Sequence, residues 1–216
     1  MSHKHTPEAP GDEIDILSWR RKDTFEFFRS YADPFFQLTA PVNVTQLLQR
    51  SGKEGRSFFL SYLYLALKAL NEQESFRQRF LGSGVKQFNY VHAGCTVLRE
   101  DETFAFAFMP WNPDHDAFFQ EGAQRLQQAR FSDVLEPLDE RKDVVFFSVI
   151  PWVSFTSFKN PHRDPQSDDI PRVVFGKTHQ IGNEIYLPVS VEVHHALADG
   201  LHAGRFFERF EQLSKE

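Results

Sequence analysis

The sequence predicts an α/β fold, a mixed and largely antiparallel sheet flanked by helices. Three observations lead there. Runs with period-2 alternation and runs with helical periodicity are interspersed, without the regular strand–helix alternation of a parallel fold. Tight polar turns join neighbouring alternating runs, which marks hairpins. And 41% of the 216 residues are hydrophobic, enough for one sizeable core in one domain.

In chain order, the opening MSHKHTPEAPGDE is polar and lacks the apolar stretch of a secretory signal. It reads as a flexible tail over residues 1–12, which leaves 13–216 as the domain. DILSW reads as a short strand, followed by a helix from Asp23 or Thr24, both good caps. FFQLTAPVNV is a strand leading into the helix TQLLQRS, and the Gly-Lys-Glu-Gly turn at 52–55 breaks the chain. SFFLSYLYLALKALNEQ is apolar almost all round, as a helix buried on most faces would be. VKQFNYVHAGCTVLRED and ETFAFAFMPW read as two strands of a hairpin. DHDAFFQEGAQRLQQARF is an amphipathic helix with acidic residues at its start. DVVFFSVIPWVSFTSF begins as a buried strand that ends at Pro151, and NPHRDPQSDDIP is a polar loop. RVVFGKTHQIGNEIYLPVSVEVHHA makes two long strands around a turn at 180–183, and the last helix starts after Gly200.

Composition narrows the function classes. A formal charge of −6 and a pI near 5.9 argue against nucleic acid, whose binding needs a basic face. No apolar run approaches the ~18 residues of a membrane span. The single cysteine, Cys95, excludes an internal disulfide and suits a reducing cytoplasm. Twenty-four phenylalanines suit a rigid apolar pocket, and equally an ordinary core.

The chemistry concentrates in VSVEVHHALADGLH. Alternation places Val189, Val191 and Val193 on one face of the last strand and Ser190, Glu192 and His194 on the other. Continued, it returns His195 to the valine face, so the two rings diverge and cannot easily share one metal. No HExxH and no cysteine pair supplies further ligands. Two incidental strand-end histidines remain an alternative, which the following Asp199-Gly200 corner weakens, since an ion pair there could clamp the turn.

HHALADGLH resembles the HHxxxDG signature of CoA-dependent acyltransferases, and more closely the HHAxxDGxH form of the chloramphenicol acetyltransferase family. SVIPWVSFTSF, SWRRKDTFEFFR and YLPVSVEVHH resemble that family's Pro-Trp strand end, its N-terminal Trp-x-Arg-Arg segment and its last strand, so the likeness runs through nearly the whole chain after the tail. The resemblance implies a single acetyltransferase domain, acetyl-CoA as cosubstrate with no bound cofactor, and a small-molecule acceptor for which chloramphenicol is the best single choice. It further implies a homotrimer with active sites between subunits, the base from one subunit and much of the acceptor pocket from its neighbour.

By that resemblance His195 is the general base. An imidazole titrates near working pH, so a neutral ring can take the acceptor's hydroxyl proton and return it to the departing sulfur. Ser148 supplies the hydrogen bond to the developing oxyanion. No acyl-enzyme is needed, so Cys95 reads as a small buried residue. Asp199 pairs with Arg21 in a buried, architectural ion pair rather than forming a triad with His195, and His194 carries no catalytic role. His202 belongs to the motif as a packing or hydrogen-bonding residue. Phe27, Phe28, Phe36, Phe104 and Phe106 line the acceptor slot. Lys177 is the candidate for the CoA phosphates, with Arg56 a second.

The chain departs from the family pattern at several points. Val174 stands where a water-holding threonine is common, Phe28 where a tyrosine is common, Phe106 where a smaller residue is, and Thr178 where an aromatic follows the lysine. The 159–170 loop is more polar than the usual drug-contacting loop. These changes keep two other readings open: the same chemistry on another small alcohol or amine, and a non-catalytic trimeric ligand-binding relative.

Overall fold

The computed structural model describes residues 6–138, 140–164 and 167–216. Among the described residues ten strands and five α-helices follow one another as β1 Gly11–Glu13, α1 Lys22–Arg29, β2 Phe35–Asn43, α2 Thr45–Lys53, α3 Phe58–Asn71, β3 Gln78–Leu81, β4 Gly84–Phe88, β5 His92–Leu98, β6 Phe104–Met109, α4 His115–Arg130, β7 Val144–Ile150, β8 Arg172–Gly176, β9 His179–Ile181, β10 Glu184–His194 and α5 Gly200–Lys215. The main sheet runs β2-β10-β8-β7-β5-β6, with β9 against β10. Its β2–β10, β10–β8, β10–β9 and β5–β6 pairs are antiparallel, and β5–β7 and β7–β8 are parallel. The mixed α/β fold read from the sequence is the fold found. No helix among the described residues is long and apolar enough to cross a membrane.

Helices α3 and α5 cover one face of the sheet. Leu63, Leu67 and Leu70 of α3 and Phe206 and Phe210 of α5 pack with Phe147, Val173, Phe175, Val189, Val191 and Val193 in the main core. The valine alternation of β10 therefore falls on the core face as expected. α3 is buried on nearly all sides and starts at Ser57, whose side chain accepts from Leu60 N–H. Asp114 caps α4 in the same way, through Ala117 N–H at 2.9 Å.

The opposite face carries the polar alternates. Strand register aligns Phe106, Thr96, Ser148, Val174, Ser190 and Thr39 in one row across six strands. The next row, two residues along, holds Phe146, Arg172, Glu192 and Gln37. His194, opposite Phe35, lies one row further.

Three expectations need correction. Residues 6–12 are not a loose tail. Arg141 donates to the Thr6 and Pro7 carbonyls at 2.7 and 3.2 Å, Ala9 N–H donates to buried Asp143 at 2.8 Å, and β1 pairs with β4. At Gly11 a side chain would collide with the Gln87 carbonyl, so glycine permits the close approach. Residues 1–5 of the expected tail lie outside the described residues.

DILSW is not a strand. The strand lies just before it, and 16–18 turn into α1. The run from Val85 to Leu98 is two strands rather than one. Asn71 captures the backbone of Val91, accepting from its N–H at 2.7 Å and donating to its carbonyl at 3.0 Å, so β4 ends at Phe88 and β5 restarts at His92. β4 joins β1 and β3 in a separate three-stranded sheet.

Candidate active site

β10 ends at His194, and 195–199 form the corner into α5. His195 is fixed there through its backbone, its N–H donating to the Pro34 carbonyl at 2.8 Å and its carbonyl accepting from Arg21 Nη2 at 3.2 Å. The ring stacks flat on Phe28, centroids 3.9 Å apart and planes within 3°, with Phe36 at 5.4 Å. Nδ1 is buried without a hydrogen-bond partner among the described residues. Phe27, 58% exposed, packs edge-on against Phe28. The imidazole is half-buried, as are Phe28 and Phe36, and Phe27 is the exposed ring of the group.

His194 has the opposite surroundings. It is buried between Phe35 and Phe80, its Nδ1 accepts from Ala196 N–H at 3.2 Å, and burial, helped by nearby Arg29, pushes its pKa down to about 4. The two rings diverge, and His194 is a neutral structural group.

Asp199 caps α5 through Leu201 N–H at 3.1 Å and pairs with Arg21 at 2.6 Å. His202 Nδ1 closes a reciprocal contact with the Asp199 backbone N–H at 3.2 Å. Arg21 thus ties the α5 corner and the His195 carbonyl together from the N-terminal side. The pair is half-buried rather than buried, with side chains 17% and 31% exposed. Burial opposes ionisation of Asp199, yet the Arg21 hydrogen bond and neighbouring His202 hold its carboxyl below the usual range. Asp199 makes no contact with the His195 ring among the described residues.

Ser148 stands elsewhere, on the polar face of β7. Its hydroxyl accepts from Thr96 Oγ1 at 3.2 Å, which leaves its own proton free to donate. It lines a cavity of about 270 Å³ with Thr96, Phe104, Phe106, Phe146 and Asn160. The five phenylalanines named from sequence therefore fall into two groups, Phe27, Phe28 and Phe36 around His195, and Phe104 and Phe106 with Ser148.

The two groups do not meet within one chain. Ser148 and Ser190 share a row two strands apart, and His194 is four residues further along β10. At ~3.3 Å per residue and ~4.8 Å per strand the separation of Ser148 from the His195 corner is on the order of 15 Å. Val174, 1% exposed, fills the row between Ser148 and Ser190 with a methyl pair.

Lys177 is exposed, its backbone N–H held by the Val153 carbonyl at 2.9 Å, and its side chain has no partner among the described residues. Arg56 is already engaged, by Asp116 at 2.8 Å and Glu54 at 3.2 Å, with His115 also in contact. Cys95 is 1% exposed and burial raises its thiol pKa, so it stays protonated and unreactive. Sequence reasoning missed Thr96, Arg172 and His162, the side chains that prop Ser148 and its neighbouring row. The one available signal was Glu192, a charge sharing a strand face with Ser190 and His194.

Known proteins share this chain's sequence pattern and fold. The family model described as chloramphenicol acetyltransferase matches residues 11–211. A chloramphenicol acetyltransferase of Proteus mirabilis is 28% identical over 204 residues, 94% of each chain, and one of Clostridium perfringens is 30% identical over 206 residues, 93% of each. A solved chloramphenicol acetyltransferase superposes with a TM-score of 0.87 at 27% identity, over 94% of this chain and 99% of that one.

Proposed function

This chain belongs to the chloramphenicol acetyltransferase family, and from that premise we propose that it transfers acetyl from acetyl-CoA to a hydroxyl of chloramphenicol, directly, in a ternary complex. Such a transfer would inactivate the antibiotic. The observation that carries the reading is the pair of half-sites, an imidazole with one free nitrogen on a rigid corner and a serine with a free proton in an aromatic cavity.

Neutral His195 Nε2 takes the acceptor's hydroxyl proton as that oxygen attacks the thioester carbonyl. Ser148 donates to the oxyanion of the tetrahedral intermediate. As the carbon–sulfur bond breaks, the imidazolium returns the proton to the CoA sulfur, and the ring is neutral again. Every proton is accounted for without an acyl-enzyme, in keeping with the unreactive Cys95. Lys177, rather than the already paired Arg56, meets a CoA phosphate.

Both half-sites act together only if two copies meet, so the working form is a homotrimer with each site at a subunit interface. A cavity of about 270 Å³ is small for a drug-sized ligand, whose pockets usually run from ~300 Å³ upward, and a second subunit bringing Phe27, Phe28 and His195 would complete it. The protein works in the cytoplasm, where its cosubstrate is.

A second acceptor class, another small alcohol or amine, is favoured by the polar 159–170 loop, whose Asn160 and Pro161 line the cavity, and by Val174, which offers no hydroxyl to hold a water. Free-thiol release from acetyl-CoA separates the two. Release with chloramphenicol supports the first reading, and release only with other acceptors replaces it with the second. A protein that binds chloramphenicol and gives no thiol with any acceptor is a ligand-binding relative.

A further inference from the structure

Glu192 is a carboxylate 1% exposed in the middle of the sheet. A buried carboxylate persists only where charge and hydrogen bonds compensate it. Compensation comes from the loop after β7. His162 Nε2 lies 2.5 Å from Glu192 Oε1, and Asn160 N–H donates to Glu192 Oε2 at 3.2 Å. The other ring nitrogen, Nδ1, is 3.0 Å from Asp168 Oδ2, which also accepts from Arg172 Nη2 at 2.5 Å. Ionised carboxylates have no proton to give, so a ring that meets one at each nitrogen carries a proton on both. Phe35 stacks on the ring at 3.6 Å, and the side chain is only 6% exposed.

The position of this chain of contacts matters. Arg172 and Glu192 occupy the row beside that of Ser148, and Asn160, Pro161 and Arg172 line the same cavity as Ser148 and Phe104. We propose that His162 is a positioning residue of the acceptor site, its imidazolium tying the 159–170 loop to β8 and β10 so that Asn160 and Pro161 stand fixed as one wall of the cavity. The proposal rests on the acetyl-transfer reading for its kinetic consequence, since a fixed wall acts on acceptor binding and not on the proton transfer at His195.

The groups facing His162 come from four elements: Glu192 and His194 on β10, Asp168 within the loop, Arg172 on β8, and Asp33, paired with Lys159, ahead of β2. Burial and Arg172 disfavour its charge, but the hydrogen bonds to Asp168 and Glu192 prevail and hold its pKa above the ordinary imidazole value. The tie is complete below about pH 6.5, the unperturbed value, and weakens as pH climbs through the raised one.

Steady-state kinetics of thiol release with acetyl-CoA and chloramphenicol, or the acceptor found active in its place, across the neutral and alkaline range test this. The acceptor KM of the wild type should climb with pH through the His162 transition while the acetyl-CoA KM does not. His162→Gln should raise the acceptor KM about tenfold, keep kcat within about twofold, and flatten that climb. Glu192→Gln, which keeps the shape and removes one charge, should move the transition to lower pH, and decides the matter alone if His162→Gln fails to fold. A His162→Gln enzyme with wild-type KM and pH dependence, or a Glu192→Gln enzyme whose transition stays in place, overturns the proposal. A wild type that releases no thiol with any acceptor defeats the acetyl-transfer reading instead. Amide exchange over the loop at equal pH then judges the tie by itself: faster in His162→Gln upholds it, and unchanged exchange overturns it.

Discussion

The proposed mechanism gives His195 one working nitrogen, Nε2, because Nδ1 is buried without a partner among the described residues and the ring lies flat on Phe28. Removing the ring removes proton transfer while the α5 corner stays anchored by backbone contacts. His195→Ala should therefore lower kcat by about 10²- to 10⁴-fold, the usual reach of a general base, with little change in melting temperature. Ser148→Ala should cost about 10²- to 10³-fold in kcat, as loss of one oxyanion donor does, with acetyl-CoA KM unchanged. Kinetics with both variants check this, and a His195→Ala enzyme of wild-type rate refutes the assignment of the base. Cys95 supplies a control at the same scale. With its thiol buried and its pKa raised by burial, alkylating reagents should label it only as the protein unfolds, and rapid labelling of native protein would contradict the packing.

The α5 corner is an element built from one residue at each end of the chain. Asp199 caps the helix, and Arg21 holds both Asp199 and the carbonyl of His195. Arg21→Ala leaves a half-buried carboxylate without its ion-pair partner, at about 1–3 kcal/mol, or a fall of about 2–12 °C in melting temperature for a domain this size. Activity should fall with it, since the proposed base sits on that corner. Because the Asp199 pKa is depressed in the fold, its contribution is present above the unfolded carboxylate value and fades as pH drops through the folded one, so acid melts of wild type and Arg21→Ala should converge. A melt difference that persists undiminished in acid would show that Arg21 acts by packing alone. Legibility followed the same logic of elements. β10 could be read from sequence because one of its faces is core, which forces strict alternation of Val189, Val191 and Val193 against Ser190, Glu192 and His194. β3 and β4 could not, because a small outlying sheet imposes less alternation and the break at 89–91 depends on Asn71, 20 residues earlier at the end of α3. The tie from His162 to Glu192 spans 30 residues and was invisible for the same reason, although Glu192 itself marked a buried charge in need of a partner.

At the scale of the whole molecule, the decisive fact is that the sheet holds its two half-sites on different rows and different strands. No side-chain rotation spans on the order of 15 Å, and reacting groups must approach within about 3 Å. On the proposed mechanism the base and the oxyanion donor of one reaction come from two copies of the chain. A symmetric ring satisfies this for every copy at once, because each subunit offers one half-site on either side. The arrangement makes inactive variants complementary. In trimers refolded from equal amounts of His195→Ala and Ser148→Ala chains, an interface that takes its histidine from the second variant and its serine from the first is intact. Random assortment makes about one interface in four intact, so roughly a quarter of wild-type activity should return although neither parent has appreciable activity. Mixed trimers, identified by mass and still inactive, would mean that both groups serve the same chain and that the sheet must rearrange to bring them together. A fully active wild-type monomer would carry the same message.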